Sequence, residues 1–208
     1  MNLPITDNII IKSEQSLYNS GGVFNQINFS IYQENDDDYT KHKYIGFAEI
    51  YLSYHSIDTF DIDFRDSYND LALEFDELFS GGYHIYQSIF KSGINKKLEC
   101  YLGKDLQIPP LFILNDLCLN EDVQNKGVGT LVLDYLENLY GYGRLKFLYA
   151  APLDSNGENY EGVDYEDRCK RLVKFYRKNG YKILDKGFKT EHRVLYKAPL
   201  VKDMLLVS

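Results

Sequence analysis

The chain has 208 residues, 44% of them hydrophobic and 26% charged, with 15 Gly and 5 Pro. This composition belongs to a globular chain long enough to bury its own core; it excludes intrinsic disorder, collagen-like repeats and a disulfide-built miniprotein. The net charge of −8 hides an asymmetry, since residues 1–164 carry 11 basic against 26 acidic side chains while residues 165–202 carry 12 against 4. An acidic body attracts cationic partners and disfavours indiscriminate nucleic-acid binding, while the basic end suits an anion or simply solvates a helix.

No apolar run approaches the roughly 18 residues of a membrane span, and residues 1–7 hold neither a basic nor an apolar signal region. Cys100, Cys118 and Cys169 are few, odd in number and without metal spacing. The expectation is a reduced, cytoplasmic, soluble protein with no membrane partner.

In chain order, residues 8–12 form a short apolar run, and residues 23–32 alternate apolar and polar with the period of a half-buried strand. After the acidic stretch Glu34-Asn35-Asp36-Asp37-Asp38, residues 44–52 give a second strand, so residues 23–53 predict an antiparallel hairpin with a long polar loop. Residues 66–98 change to helical spacing, with Leu71, Phe75, Leu78 and Phe79, then Tyr83, Tyr86, Ile89 and Phe90, broken by Gly81-Gly82. Residues 91–110 read as a connection.

Residues 111–119 are apolar at nearly every position, as in a strand buried on both faces. Residues 127–140 carry a helical stripe of Val128, Leu131, Val132, Tyr135, Leu136 and Leu139. Residues 144–153 predict another buried strand, residues 165–179 an amphipathic helix closed by Gly180, and residues 181–184 and 192–197 two short strands. The fold class is α/β (α+β): one domain over residues 1–208, a mixed sheet flanked by helices, with a helical insertion at 66–110 before the fourth strand.

The junction Asn120-Glu121-Asp122-Val123-Gln124-Asn125-Lys126-Gly127-Val128-Gly129-Thr130 carries the chemistry. A strand enters a tight turn and glycines stand where a helix begins, where free backbone N–H groups and the positive end of the dipole face outward. Glycines there let an anion such as a phosphate approach those donors. The dinucleotide fingerprint and the phosphate-loop signature are both absent.

Gln124-x-x-Gly127-x-Gly129 resembles the Gln/Arg-x-x-Gly-x-Gly/Ala motif of the GNAT family of N-acetyltransferases. The lead-in from Leu117 to Val123 resembles the family's strand end, with Glu121 in place of the usual Pro. Phe175-Tyr176-Arg177-Lys178-Asn179-Gly180-Tyr181 resembles the Phe-Tyr-x-Lys-x-Gly-Phe/Tyr signature that closes the family's last helix. The likeness covers residues 111–198 well and the first 110 poorly.

The resemblance implies a GNAT fold and acetyl-CoA as co-substrate. It makes Leu117, Cys118 and Leu119 a strand that pairs with the pantetheine arm. Gln124, Asn125, Lys126, Gly127, Val128, Gly129 and Thr130 become the pyrophosphate loop. It puts Cys169 at a cofactor-facing position usually held by Asn, with Leu172 where Ala is usual. Tyr176 becomes the general acid that protonates the leaving thiolate, a donor suited by its ordinary pKa of about 10.

For the base, Asn115 and Asp116 are polar neighbours in an apolar strand, so one faces the cleft. Asp116 is the better candidate, with Glu49, Glu121 or an ordered water behind it. Cys118 reads as a small core residue rather than an acylated nucleophile, since no His lies nearby. His42, His55, His84 and His192 share no ligand spacing, so no metal is expected. The basic residues between Arg168 and Lys178 read as a solvated helix face, with one or two reaching the ribose phosphate of CoA.

The function expected is transfer of an acetyl group from acetyl-CoA to a primary amine: a protein lysine or N-terminus, a polyamine or another small cation. Two alternatives stand beside it, an aminoacyl-tRNA-acetylating toxin and a non-catalytic acyl-CoA-binding domain. Nucleic acid is a partner only under the first. A homodimer is compatible with the sequence.

Overall fold

The computed structural model describes residues 2–6, 9–15, 24–35, 38–53, 110–154, 157–184 and 194–199. Eight strands form one sheet: β1 (Asn2–Thr6), β2 (Ile9–Gln15), β3 (Phe24–Asn35), β4 (Asp38–Ser53), β5 (Leu111–Leu119), β6 (Leu145–Tyr149), β7 (Lys182–Ile183) and β8 (Val194–Lys197). Their order is β1-β2-β3-β4-β5-β6-β8-β7, antiparallel throughout except for the parallel pair β5–β6. Two described helices, α1 (Val128–Tyr140) and α2 (Tyr165–Lys178), complete a mixed α/β fold.

The parallel pair has a topological cause. A strand that must return to the same sheet in the same direction needs a crossover, and α1 is that crossover between β5 and β6. Its apolar stripe places Val132, Leu133 and Leu136 on the sheet face formed by Ile11, Ile27, Ile31, Ile50, Phe112 and Leu114. Val173 and Tyr176 of α2 join the same cluster. Burying each such aliphatic or aromatic side chain contributes about 1.5–3 kcal/mol, so this one face accounts for much of the stability. The opposite face is also apolar and buried at Ile113, Leu111 and Phe147.

Several expectations change in detail. Residues 23–53 do form a hairpin, but the strands extend through the predicted loop, with Gln33 paired to Lys43 and Glu34 to His42. A ladder is held by backbone groups, which polar residues supply as well as apolar ones. β1 went unread, so the strand at 111–119 is the fifth rather than the fourth. The predicted strand over 144–153 is shorter, ending at Tyr149. The helical insertion expected at 66–110 lies almost wholly outside the described residues.

Candidate active site

β5 and β6 are paired only from Leu111↔Leu145 to Leu114↔Leu148. Beyond Leu114, β5 continues to Leu119 with β4 as its neighbour, so the sheet opens on the β6 side. A bulge stands at the parting point: Ile50 pairs with Leu114 and Glu49 with Asp116, leaving Asn115 extra. An extra residue bends the strand and exchanges the faces of the side chains that follow. Leu117 and Leu119 therefore pack on the helix-covered core, as Phe112 and Leu114 do before the bulge. Asp116 and Cys118 turn to the opposite face, beside their register partners Glu49 and Phe47.

The ladder also fixes which backbone groups face the gap. Asn120 N–H donates to Ile45 C=O at 2.8 Å, and hydrogen-bonded pairs alternate along an antiparallel ladder. The Cys118 backbone thus faces β4, while that of Leu117 and Leu119 faces the opening. The Leu119 carbonyl accepts the Gln124 Nε2 amide at 2.7 Å, which ties the strand end to the following turn.

That turn is a single 3₁₀ helix, Glu121–Val123, anchored by buried Val123. Asn125 and Gly127 then take left-handed backbone angles, φ 59° and 87°, and α1 begins at Val128. The first intrahelical bond runs from Leu131 N–H to Gly127 C=O at 3.1 Å, leaving the Val128, Gly129 and Thr130 N–H groups ahead of it. Gly127, the N-cap, has no side chain to take them. A Cβ there would find nothing within 4 Å, so the approach is open. Gly129 answers a different need: a Cβ would sit 3.2 Å from Phe175 Cζ, so glycine lets α2 pack close. Gln124, Asn125 and Lys126 are exposed around this turn.

α2 has acidic residues in its first turn and Arg177 and Lys178 in its last, matching the helix dipole, and ends at Gly180 with φ 90°. Cys169, Val173 and Tyr176 form its buried stripe. The Tyr176 ring packs edge-on against Phe175 and Tyr181, at centroid distances of 5.0 and 5.9 Å. Burial, with the Asp116 carboxylate adding to it, pushes the Tyr176 hydroxyl well above the usual phenol range. Cys169 is buried one turn further along the stripe from Val173.

Asp116 sits in a polar row crossing three strands. Asn115 Nδ2 donates to Glu49 Oε1 at 2.7 Å and to Asp116 Oδ2 at 3.1 Å, and Gln26 Nε2 donates to Glu49 Oε2 at 2.5 Å. Burial, and then the Glu49 charge, push the Asp116 carboxyl up to about 6, with the Asn115 amide pulling the other way. The Cys118 thiol is raised by burial, Asp116 and Asp154, which keeps it protonated and argues against a nucleophilic role. Among the described residues no group of three or more His, Cys, Asp or Glu could hold a metal ion.

The loop after β6 reaches this same face. Cys118 Sγ lies 3.5 Å from Asp154 C=O, and a Cβ at Gly157 would lie 2.6 Å from Phe47 Cζ. The loop is fastened by the Leu153↔Asn159 bridge and by Tyr160, whose hydroxyl donates to Asp164 at 2.5 Å under the Arg168 guanidinium.

No family model matches the chain, and no curated protein does. Among solved structures, a protein of Bacteroides thetaiotaomicron described, provisionally, as an acetyltransferase from the GNAT family is similar over 88% of this chain and 65% of that one. The two are 13% identical with a TM-score of 0.34. The chain thus spans just under two thirds of that structure. So distant a likeness leaves function to the site. No helix among the described residues is long and apolar enough to cross a membrane.

β5 carries Asp116, Leu117 and Leu119 past the point where its pairing with β6 ends and leads into the 124–130 turn, while Tyr176 lies in the helix-covered core. Sequence reasoning missed Gln26 and Tyr51, and ranked Glu49 behind Asp116 without seeing that the two are partners. Glu49 was visible as the lone carboxylate in an apolar strand. Its pairing with Asp116 needs a register across more than sixty intervening residues.

Proposed function

We propose that this protein is an acetyl-CoA-dependent N-acetyltransferase acting on a primary amine. One observation carries the reading: the strand whose Leu117 and Leu119 backbone faces the sheet opening leads through one turn into a helix N-terminus with no side-chain cap, and Asp116 and Tyr176 lie on opposite faces of the sheet. An acyl-CoA is an amide-bearing arm joined to a pyrophosphate. It needs strand-like backbone partners and then a ring of N–H donors, in that order. Leu117 and the Leu119 N–H would supply the first, and Val128, Gly129 and Thr130 the second. The open approach at Gly127 fits an anion there.

The co-substrate supplies an activated acetyl thioester; the chain supplies orientation and proton handling. The Asp116 carboxylate takes a proton from the acceptor ammonium, leaving the nitrogen lone pair free to form the C–N bond as the C–S bond breaks. The Tyr176 hydroxyl, kept protonated by burial, donates to the departing sulfur and recovers a proton from the new amide nitrogen. The net products are amide, thiol and one proton held on Asp116. The neighbouring Glu49 favours a cationic acceptor over a neutral one.

Calorimetric titration with acetyl-CoA tests the reading, beside a Gly127→Asp variant. Aspartate tolerates the left-handed angle better than most residues, so the fold survives while a negative charge enters the anion site. Binding by the wild type that the variant weakens at least tenfold supports the proposal. No binding by the wild type overturns it.

A further inference from the structure

The polar row Gln26–Glu49–Asn115–Asp116 is more than the proposed proton transfer requires. We infer that Glu49 is a positioning residue for that site: a fixed negative charge, clamped by Gln26 and Asn115, that makes Asp116 the proton acceptor. The inference rests on the reading of the site given above.

The geometry begins with the ladder. Glu49 and Asp116 are direct register partners on one sheet face, where opposed Cβ atoms stand about 4.5–5.5 Å apart. Two carboxylates so close, on a partly buried surface, resist being ionised together. The surroundings decide which one yields. Each Glu49 oxygen accepts an amide N–H, from Gln26 at 2.5 Å and Asn115 at 2.7 Å, and such bonds favour the ionised form. Tyr51 adds a third hydrogen bond to Glu49. Asp116 receives one longer bond, 3.1 Å, from the Asn115 amide already shared with Glu49.

The bulge makes the sharing workable. Asn115 is the extra residue of β5, so its amide reaches both acids without displacing a core side chain. The other described groups toward Asp116 are neutral: Tyr51 from β4, the Cys118 thiol of β5 and Tyr176 from α2, each held protonated by burial. Asp154, from the loop, acts on Cys118. Glu49 is therefore the charge that acts on Asp116, in keeping with a carboxyl pushed up to about 6. When an ammonium arrives, its N–H bond breaks and the proton goes to Asp116, leaving a neutral amine, a neutral acid and Glu49 still ionised.

The test is a carbon-detected NMR titration of side-chain carboxyls in the whole protein, with Asp116→Asn for assignment and Glu49→Gln as the probe. The wild-type Asp116 midpoint should lie near pH 6 and fall by about one pH unit in Glu49→Gln, moving toward the ordinary carboxylate range. Gln26→Leu, which removes one of the two amide clamps, frees the Glu49 side chain to move away from Asp116 and should lower the Asp116 midpoint by a smaller step. An Asp116 midpoint unmoved in Glu49→Gln, or in Gln26→Leu should Glu49→Gln not fold, overturns the inference. The acid limb of kcat/KM with acetyl-CoA and n-butylamine should shift down in step with the Asp116 midpoint, which loss of packing alone would not produce. Failure of the wild type to bind acetyl-CoA would sink the transferase reading instead, and the carboxyl titration reads the pair independently of it.

Discussion

The Asp116 carboxylate acts on the Tyr176 hydroxyl from the other face of the sheet. The carboxylate belongs to the face away from the helices, the phenol to the helix-covered core, yet the charge of the first adds to burial in holding the second protonated. Without the Asn115 bulge Asp116 would follow Phe112 and Leu114 onto the helix-covered face; the extra residue turns it to the other face, beside Glu49.

If Tyr176 is the proton donor, Tyr176→Phe should lower kcat by about 10²-fold, the lower end of what a positioned acid contributes. Acetyl-CoA affinity should stay within about twofold, since the ring and its packing on Phe175 and Tyr181 remain. The raised pKa keeps the wild-type hydroxyl protonated above the usual phenol range, so its activity should show no loss from this group up to about pH 10. Steady-state rates with calorimetry on the same protein check both. Unchanged turnover would remove Tyr176 from the chemistry.

Asp116 makes a prediction about stability as well as rate. Its folded carboxyl, at about 6, lies above the ordinary value of 3.8. Between those values the folded state holds a proton that the unfolded chain has lost, so stability falls as pH rises through that window. Above pH 6 the full penalty is present, up to about 3 kcal/mol. Asp116→Asn carries no such charge and should be more stable than the wild type at pH 7.5, with the difference vanishing near pH 4. Denaturant melts at the two pH values measure this. Turnover should fall in the same variant.

The elements that carry the candidate site are legible in the sequence. The strand at 111–119 and the helix expected from Gly127, which starts at Val128, appear where the apolar pattern puts them, because each buries a continuous stripe. Gly180 marks the end of α2, since a left-handed residue stops a helix wherever it falls. What stayed hidden was non-local. β1 is a five-residue strand containing Pro4, recognisable through its pairing with β2 rather than any pattern of its own. The bulge at Asn115 leaves no periodic trace in so apolar a strand, and Glu49 and Asp116 become partners through register alone. The helical spacing over 66–98 lies outside the described residues.

Two glycines of one motif should respond differently. Gly127 has a left-handed angle and open space, whereas Gly129 lies under the Phe175 ring. Gly127→Asp should cost acetyl-CoA affinity with a small change in Tm. Gly129→Leu should instead destabilise by about 1–3 kcal/mol, because the added atoms have no room beside Phe175 and Leu119. Thermal melts and calorimetry on both separate anion approach from packing. Equal losses of stability would contradict the division.

The final prediction concerns the anchor of β8. Glu137, near the end of α1, is buried; its Oε2 accepts from Lys197 Nζ at 2.7 Å, and its charge also acts on the Tyr181 phenol. The same ammonium donates to Asn179 C=O at 3.0 Å, so one lysine joins α1, β8 and the end of α2. Lys197→Met would keep most of the aliphatic stem but strand a buried carboxylate, and should destabilise by about 3 kcal/mol. The double variant Glu137→Leu with Lys197→Met removes both charges and should recover most of that loss, since an apolar pair of similar volume suits so buried a position. Because α2 carries Tyr176, the single variant should also lower turnover, and the double should restore it. A double variant no more stable than the single would mean that the stem packing and the Asn179 bond, rather than charge pairing, hold β8 in place.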